Sequence, residues 1–335
     1  MLLFIDNAGI HDPTVNLAIE EYALRHLPEE HDYLLFYINE PSIIIGKNQN
    51  THEEINAEYV ERNGIHVVRR LSGGGAVYHD LGNLNYSFIT KDDGQSFHNY
   101  RKFTEPVTQA LRRLGVEAEL TGRNDIQVGE RKISGNAQFA TKGRMFTHGT
   151  LLFDSQIENV VSALNVDPQK IQSKGIKSIR SRVANIREFL ERPMTVEQFR
   201  TALLESIFGC PASEVPQVQL TEEHWEGIRL LSEQRYRSWD WNYGKSPKAN
   251  IRHNKRFEGA GTIDARLSVE GGRIAEIRLF GDFFGTADVK ELERKLEGAA
   301  YERGALEEAL QGIDVAAYFG RVDKSAFLDL LLLGV

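Results

Sequence analysis

Arg69-Arg70-Leu71-Ser72-Gly73-Gly74-Gly75-Ala76-Val77-Tyr78-His79-Asp80 is the stretch on which the reading of this chain turns. Consecutive glycines let the backbone adopt positive φ and come close to a ligand, so that several N–H groups can converge on phosphate oxygens. The arginine pair in front of them supplies fork-shaped cations suited to phosphate or carboxylate. Strand side chains alternate between faces, so at most one of Arg69 and Arg70 enters a pocket directly. A surface turn is the plainer reading of a glycine triplet. Against it, the loop joins two predicted strands and runs into His79-Asp80, where a floppy linker would carry Ser or Thr. The stretch matches neither the G-x-x-x-x-G-K-[ST] pattern nor, in its context, the dinucleotide fingerprint.

Outward from the loop, the apolar periodicity predicts strands at 1–6, 33–38, 42–45, 65–70 and 84–89. Asp12-Pro13 marks a helix start, and Thr51 to Glu54 has the form of a capping box opening a helix that ends at Asn63-Gly64. A helix over 100–114 precedes several short β-like segments up to Phe153. This mixture predicts an α/β or α+β sheet, largely antiparallel, and not a strict βαβ alternation. Residues 154–233 read as mostly helical, and the aromatic, turn-rich Trp239–Pro247 segment reads as a boundary. Beyond it, Gly271-Gly272 is a two-residue hairpin signal, followed by helical stretches at 289–296, 306–310 and 324–333. The predicted division is a catalytic domain over residues 1–248 and a small α+β domain over residues 249–335.

The chain has 335 residues, a net charge of −8 and one cysteine, Cys210. The charge argues against nonspecific nucleic-acid binding. A lone cysteine excludes an intrachain disulfide framework and a multi-cysteine zinc site, and fits a reducing cytoplasm. No apolar run reaches the roughly 18–20 residues of a membrane helix, and the N-terminus lacks a basic n-region, so it reads as a strand and not a signal peptide.

Two further stretches bear chemistry. Gly122–Ile126 and Gly129–Ala137 place Lys132 between short strands and before small residues, which suits a cation set against a phosphate or carbonyl oxygen; a solvated lysine beside a hairpin is the alternative. Asp125 is a candidate Mg²⁺ ligand, with turn chemistry the alternative. Residues 168–187 carry Lys170, Lys174, Lys177, Arg180, Arg182 and Arg187 without an acidic residue. That local positive region suits an adenylate or an acidic partner, and equally a solvated helix face.

Together these residues resemble the lipoate–protein ligase family, within the larger group that includes biotin ligases. Arg69–Asp80 with Leu81-Gly82-Asn83 looks like its lipoate and ATP loop, Lys132-Ile133-Ser134-Gly135 like its lysine motif, and Thr147–Leu152 like the strand that follows. Gly175–Asn185 is similar to its adenylate-covering loop, and Trp239–Pro247 and Gly281-Asp282-Phe283 extend the likeness into the C-terminal part.

The resemblance implies an α+β fold, an α/β sandwich with a largely antiparallel sheet, flanking helices and a small α+β C-terminal domain. It implies an enzyme that activates lipoate or octanoate with ATP and Mg²⁺ and transfers the acyl group to a lysine of apo lipoyl carrier domains (the glycine-cleavage H protein and 2-oxoacid dehydrogenase E2 subunits). Lys132 would be the catalytic cation. Arg70, Ser72, Gly73, Gly74, Gly75, Ala76, Val77, Tyr78, His79, Ser134, Lys177 and Arg180 would join it in binding ATP and lipoate. Seven positions after the lysine, the best-known branch is expected to carry a basic residue; here it is Phe139, with Lys142, Arg144 or the 177–182 loop as substitutes. The rival readings are an octanoyl or lipoyl transferase acting through a cysteine acyl-enzyme, and a non-catalytic adaptor that docks carrier domains.

Overall fold

The computed structural model describes residues 1–164, 182–243 and 251–332. The chain divides into two compact units that are not contiguous in sequence. The first comprises Met1–Ile45, His52–Arg69 and Val77–Asn242; the second comprises Gly46–Thr51, Arg70–Ala76 and Tyr243–Val335.

The strands of the first unit are β1 (Leu2–Ile5), β2 (Asp32–Ile38), β3 (Ser42–Ile45), β4 (His66–Arg69), β5 (Val77–His79), β6 (Asn83–Lys91), β7 (Ala118–Thr121), β8 (Asp125–Val128), β9 (Arg131–Thr141), β10 (Arg144–Leu152) and β11 (Gln217–Val218). Eight of them form one sheet in the order β11-β1-β2-β6-β10-β9-β8-β7. The parallel pairs are confined to the β11-β1-β2 edge, and the rest is antiparallel, as the sequence predicts. A separate three-stranded sheet has the order β4-β3-β5. The described helices are α1 (Pro13–His26), α2 (Thr51–Glu54), α3 (Ala57–Arg62), α4 (Tyr100–Arg113), α5 (Ile157–Ala163), α6 (Val196–Phe208), α7 (Glu222–Leu231) and α8 (Trp239–Asn242).

The core on one sheet face sets Leu34, Phe36, Tyr86 and Phe88 against Phe103, Val107 and Leu111 of α4 and Phe199 and Leu203 of α6. Helix α1 starts where the sequence puts it: the Asp12 carboxylate accepts from Thr14 N at 2.8 Å, and Pro13 needs no N–H donor there. It also buries two carboxylates. Glu20 accepts from His148 Nδ1 at 2.9 Å. Glu21 accepts from Arg25 Nε and Arg235 Nη1 at 2.6 Å and from the Tyr236 hydroxyl at 2.8 Å. Paired in this way, the charges are tolerable inside.

Two predictions from sequence are corrected. The helix read from Thr51 to Asn63 is broken at Ile55, which bridges to Leu164, and Asn56 recaps the second piece through Tyr59 N. Residues 154–233 also contribute a strand, β11, whose Gln217 and Val218 pair with Phe4 and Ile5.

In the second unit, β12 (Ile251–Phe257), β13 (Gly261–Glu270) and β14 (Arg273–Gly281) form an antiparallel meander. Gly271 and Gly272, at φ +56° and +76°, make the predicted tight turn. Helices α9 (Val289–Leu296), α10 (Arg303–Ala309), α11 (Ala316–Phe319) and α12 (Lys324–Leu331) complete a core that includes Ile263, Leu267, Ile277, Leu292, Phe319 and Phe327.

Glu293 of α9 is buried in this unit, where its Oε1 accepts from Leu279 N at 2.8 Å and Oε2 lies 3.8 Å from Arg278 Nη1. Burial outweighs the Leu279 hydrogen bond and the Arg278 and Lys290 charges, and with Glu297 nearby it pushes the carboxyl from 4.5 to about 7. A folded-state pKa above the unfolded one means stability that is full below pH 4.5 and lost as pH rises toward 7. Glu293→Gln keeps an acceptor for Leu279 N–H without the buried charge. Thermal melts are expected to show the variant ahead of the parent by about 1–3 kcal/mol at pH 8, with the gap closing toward pH 4.5. A gain of equal size at both pH values would exclude titration of Glu293 as its cause.

Candidate active site

Lys132 lies on β9 where the pairing with β8 is irregular. Asp125 faces Gly135 and Ile126 faces Ser134, but Gln127 faces Lys132, so Ile133 is an extra residue in the strand. A bulge of this kind breaks alternation and re-aims a side chain. Ile133 and Ser134 are both fully buried, while the Lys132 side chain stays 37% exposed. Its Nζ lies 2.9 Å from Asp125 Oδ1. It also lies over Gly135, where a β-carbon would stand 2.9 Å from Nζ. A larger residue at 135 would displace the ammonium. The Lys132 backbone is held as well: its N–H donates to Arg182 O at 2.7 Å, and its carbonyl accepts from Ala184 N at 2.9 Å.

Behind the lysine runs a buried polar network. The Tyr86 hydroxyl donates to Asn136 Oδ1, and Asn136 Nδ2 donates to Asn124 O at 3.0 Å and to Ser134 Oγ at 3.3 Å. Asn124 Nδ2 returns a bond to Asn136 O, which ties the turn before Asp125 to β9. Burial pushes the Tyr86 phenol well above its usual range, keeping it a neutral donor. Gly149 of β10 is required beside it, since a β-carbon there would lie 2.2 Å from Asn136 Oδ1.

The two arginines of the motif part company. Arg69, at the end of β4, is buried and reciprocally bonded to α8. Its Nε donates to Trp241 O at 2.9 Å and its N–H to Asn242 Oδ1 at 2.9 Å, while Trp241 Nε1 donates to Arg69 O at 2.8 Å. Burial lowers its guanidinium pKa to about 10. Arg70 belongs to the second unit and holds its own loop, through Nε to Ser72 Oγ at 2.9 Å and Nη2 to Gly73 O at 2.7 Å and Gly75 O at 2.8 Å. Ser72 is fully buried, and Lys47 N donates to its carbonyl at 2.9 Å. Gly75 is exposed, with open space where a side chain would be.

Val77, Tyr78 and His79 form β5, paired with β3 in the first unit. Tyr78 and Tyr59 both reach Asn159 of α5, and burial raises the Tyr78 phenol pKa. His79 ends a chain of buried amides. Asn7 donates to Asn16, Asn16 to Asn39 at 2.9 Å, and Asn39 Nδ2 to His79 Nδ1 at 3.0 Å, which puts the imidazole proton on Nε2.

The geometry bears on several sequence expectations. Asp125, the candidate Mg²⁺ ligand, has Oδ1 2.9 Å from Lys132 Nζ, and among the described residues no group of three or more His, Cys, Asp or Glu gathers. Arg144 is 4% exposed and its Nη1 donates to Leu27 O, so it is not available to a phosphate. Lys142 turns the β9–β10 hairpin, roughly 33 Å of strand away from Lys132 at about 3.3 Å per residue. Phe139 packs on Phe146, ring centroids 5.7 Å apart. Lys177 and Arg180 lie outside the described residues. Tyr86, Asn39 and Glu20 escaped the sequence reading, whereas Asn136 and His148 lie in stretches it singled out without a role of their own. For Tyr86 the alternation of Asn and Ser with apolar residues in Asn83–Ile89 was the available signal.

Comparison with known proteins bears on both units. The chain matches the lipoyl protein ligase A/B catalytic domain over residues 12–208 and the bacterial lipoate protein ligase C-terminus over residues 246–331. It is 64% identical over 331 residues to lipoate-protein ligase LplJ of Bacillus subtilis, covering 98% of this chain and 100% of that one. Among solved structures it is similar to P. falciparum LipL1 in complex with lipoate, at TM-score 0.74 and 25% identity over 99% of this chain and 98% of that one. It is also similar to lipoate-protein ligase A bound with ATP, at TM-score 0.62 and 30% identity over 72% of this chain and 98% of that one. With a family match over more than half its length and a full-length relative at that identity, the chain belongs to the lipoate–protein ligase family.

Proposed function

We propose that this protein is an ATP-dependent lipoate–protein ligase working in two steps. A carboxylate oxygen of lipoate, or of octanoate, attacks the α-phosphorus of ATP; the α–β anhydride bond breaks, pyrophosphate leaves, and lipoyl-AMP remains. The ε-amine of a lysine on an apo carrier domain then attacks the carbonyl carbon of this mixed anhydride. AMP leaves, the nitrogen gives up a proton, and an amide joins lipoyl group to carrier. The carriers in this reading are the H protein and E2 subunits, residues 1–248 are the catalytic domain, residues 249–335 the accessory one, and the setting is the cytoplasm.

The observation that carries the reading is Lys132, a half-exposed ammonium on a strand held from both sides, with Asp125 and Gly135 defining where it lies. Negative charge grows on phosphate oxygen in the first step and on carbonyl oxygen in the second. A fixed cation serves both, and donors so placed are typically worth ~2.7–4 kcal/mol. Arg70, Ser72, Gly73, Gly74, Gly75, Ala76, Val77, Tyr78, His79 and Ser134 are assigned to binding ATP and the lipoyl group. The open space at Gly75 and the relatives bound with lipoate and with ATP support that assignment. ATP enters as its Mg²⁺ complex, in which phosphates supply most of the ligands; Asp125, with Oδ1 2.9 Å from Lys132 Nζ, would offer the metal one carboxylate.

A cysteine acyl-enzyme route needs a thiolate in the site. Cys210 instead follows the α6 cap, Gly209, and packs against the core of the main sheet.

The direct test is incubation with ATP, Mg²⁺, lipoate and apo-carriers, read by intact mass of the carrier. Lys132→Ala is expected to slow lipoate-dependent ATP–pyrophosphate exchange at least about 100-fold with the melting temperature retained; near-parental exchange would remove Lys132 from the chemistry. Cys210→Ser is expected to lipoylate carriers at the parental rate. Loss of transfer in a folded Cys210→Ser protein would restore the acyl-enzyme route.

A further inference from the structure

Gly281-Asp282-Phe283 is part of the resemblance to the family, yet the two-step chemistry gives it nothing to do. In the second unit it forms the turn that ends β14, and the glycine loop is packed on it. Gly281 N donates to Asn48 O at 2.7 Å, and Asp282 Oδ1 accepts from Thr262 N. Phe283 is fully buried, edge-on to Phe319 at 4.8 Å, which roots the turn in the core of the unit. Its carbonyl oxygen stands 2.4 Å from where a β-carbon of Gly73 would be. The ring of the next residue, Phe284, puts Cζ 2.6 Å from the corresponding point at Gly74, whose φ is +91°. On the other side, a β-carbon at Gly46 would lie 1.9 Å from Gly74 O.

Two of the three loop glycines are therefore explained by packing, and the third is not: Gly75 has nothing within 4 Å. We propose that Phe284 is a positioning residue for substrate binding, its ring filling the side-chain space of residue 74 and thereby fixing the loop conformation that leaves Gly75 open. Phe284 acts through Gly74 and touches no reacting atom. A C-terminal residue thus sets the shape of an N-terminal binding loop inside one compact unit. The inference rests on the ligase reading, since it assigns the loop to ATP and lipoate.

The test is lipoate-dependent ATP–pyrophosphate exchange on the full-length protein, with kcat and KM for lipoate and ATP measured separately and melting temperatures alongside. Phe284→Ala is expected to raise KM about ten- to a hundredfold with a smaller change in kcat, and Phe284→Leu, which refills most of the space, to recover most of the loss. A double-mutant cycle with Gly74→Ala supplies the second readout. Backbone strain at φ +91° is common to both arms and cancels, so removing the ring should soften the effect of Gly74→Ala. Parental KM in Phe284→Ala, or strictly multiplicative effects in the cycle, would overturn the proposal. If Phe284→Ala fails to fold, the cycle is run with Phe284→Val, which still leaves most of the ring's space empty, and the same outcomes decide. Absence of exchange in the parent protein would instead count against the ligase reading itself.

Discussion

Lys132 is useful as a cation only if it leaves the plane of a sheet whose inner positions are closed. One extra residue in β9 achieves this. Because Ile133 has no counterpart on β8, both it and Ser134 turn inward, and the lysine is left to run over Gly135 toward Asp125. Much of the surrounding structure keeps that bulge in register. The reciprocal Asn124–Asn136 bonds fix the turn before Asp125, Tyr86 and Gly149 close in behind Asn136, and Arg182–Ala184 takes the strand edge beside Lys132. Tyr86, Ser134 and Asn136 are buried, and removing a partner from any of them would strand a polar group inside the protein.

The glycine loop shows how packing and function share one motif. Arg70, which by sequence looks like a phosphate fork, spends hydrogen bonds on Ser72 and on the carbonyls of Gly73 and Gly75. Gly46, Phe283 and Phe284 close on Gly73 and Gly74. A loop meant to present N–H groups to an anion must have its own carbonyls satisfied elsewhere, and a guanidinium with five donors in a fixed plane does this well. The glycines thus answer two demands, close approach of protein and close approach of ligand, and sequence alone does not separate them.

Much of the fold could be read in advance. The runs at 33–38 and 42–45 are strongly apolar, 84–89 alternates polar with apolar residues as a strand does, and Gly271-Gly272 specifies its hairpin locally. Strand β11 could not be foreseen: two residues long, it exists only because Phe4 and Ile5 offer it a parallel edge. Nor could the burial of Glu20 and Glu21, since a carboxylate on a helix reads as a solvent face until His148, Arg235 and Tyr236 arrive from far along the chain.

The sequence by itself determined most of the strand and helix types, the hairpin turn, the family, and the short list of residues worth attention, because propensity, turn chemistry and motif spacing act over a few neighbouring residues. The tertiary structure decided what those residues do for one another. It paired Asp125 with Lys132, turned Arg69 onto Trp241 and Asn242, and set Phe284 against Gly74. Each of those depends on a register shift or on a contact between segments distant along the chain, and distances of that kind exist only once the chain has closed on itself.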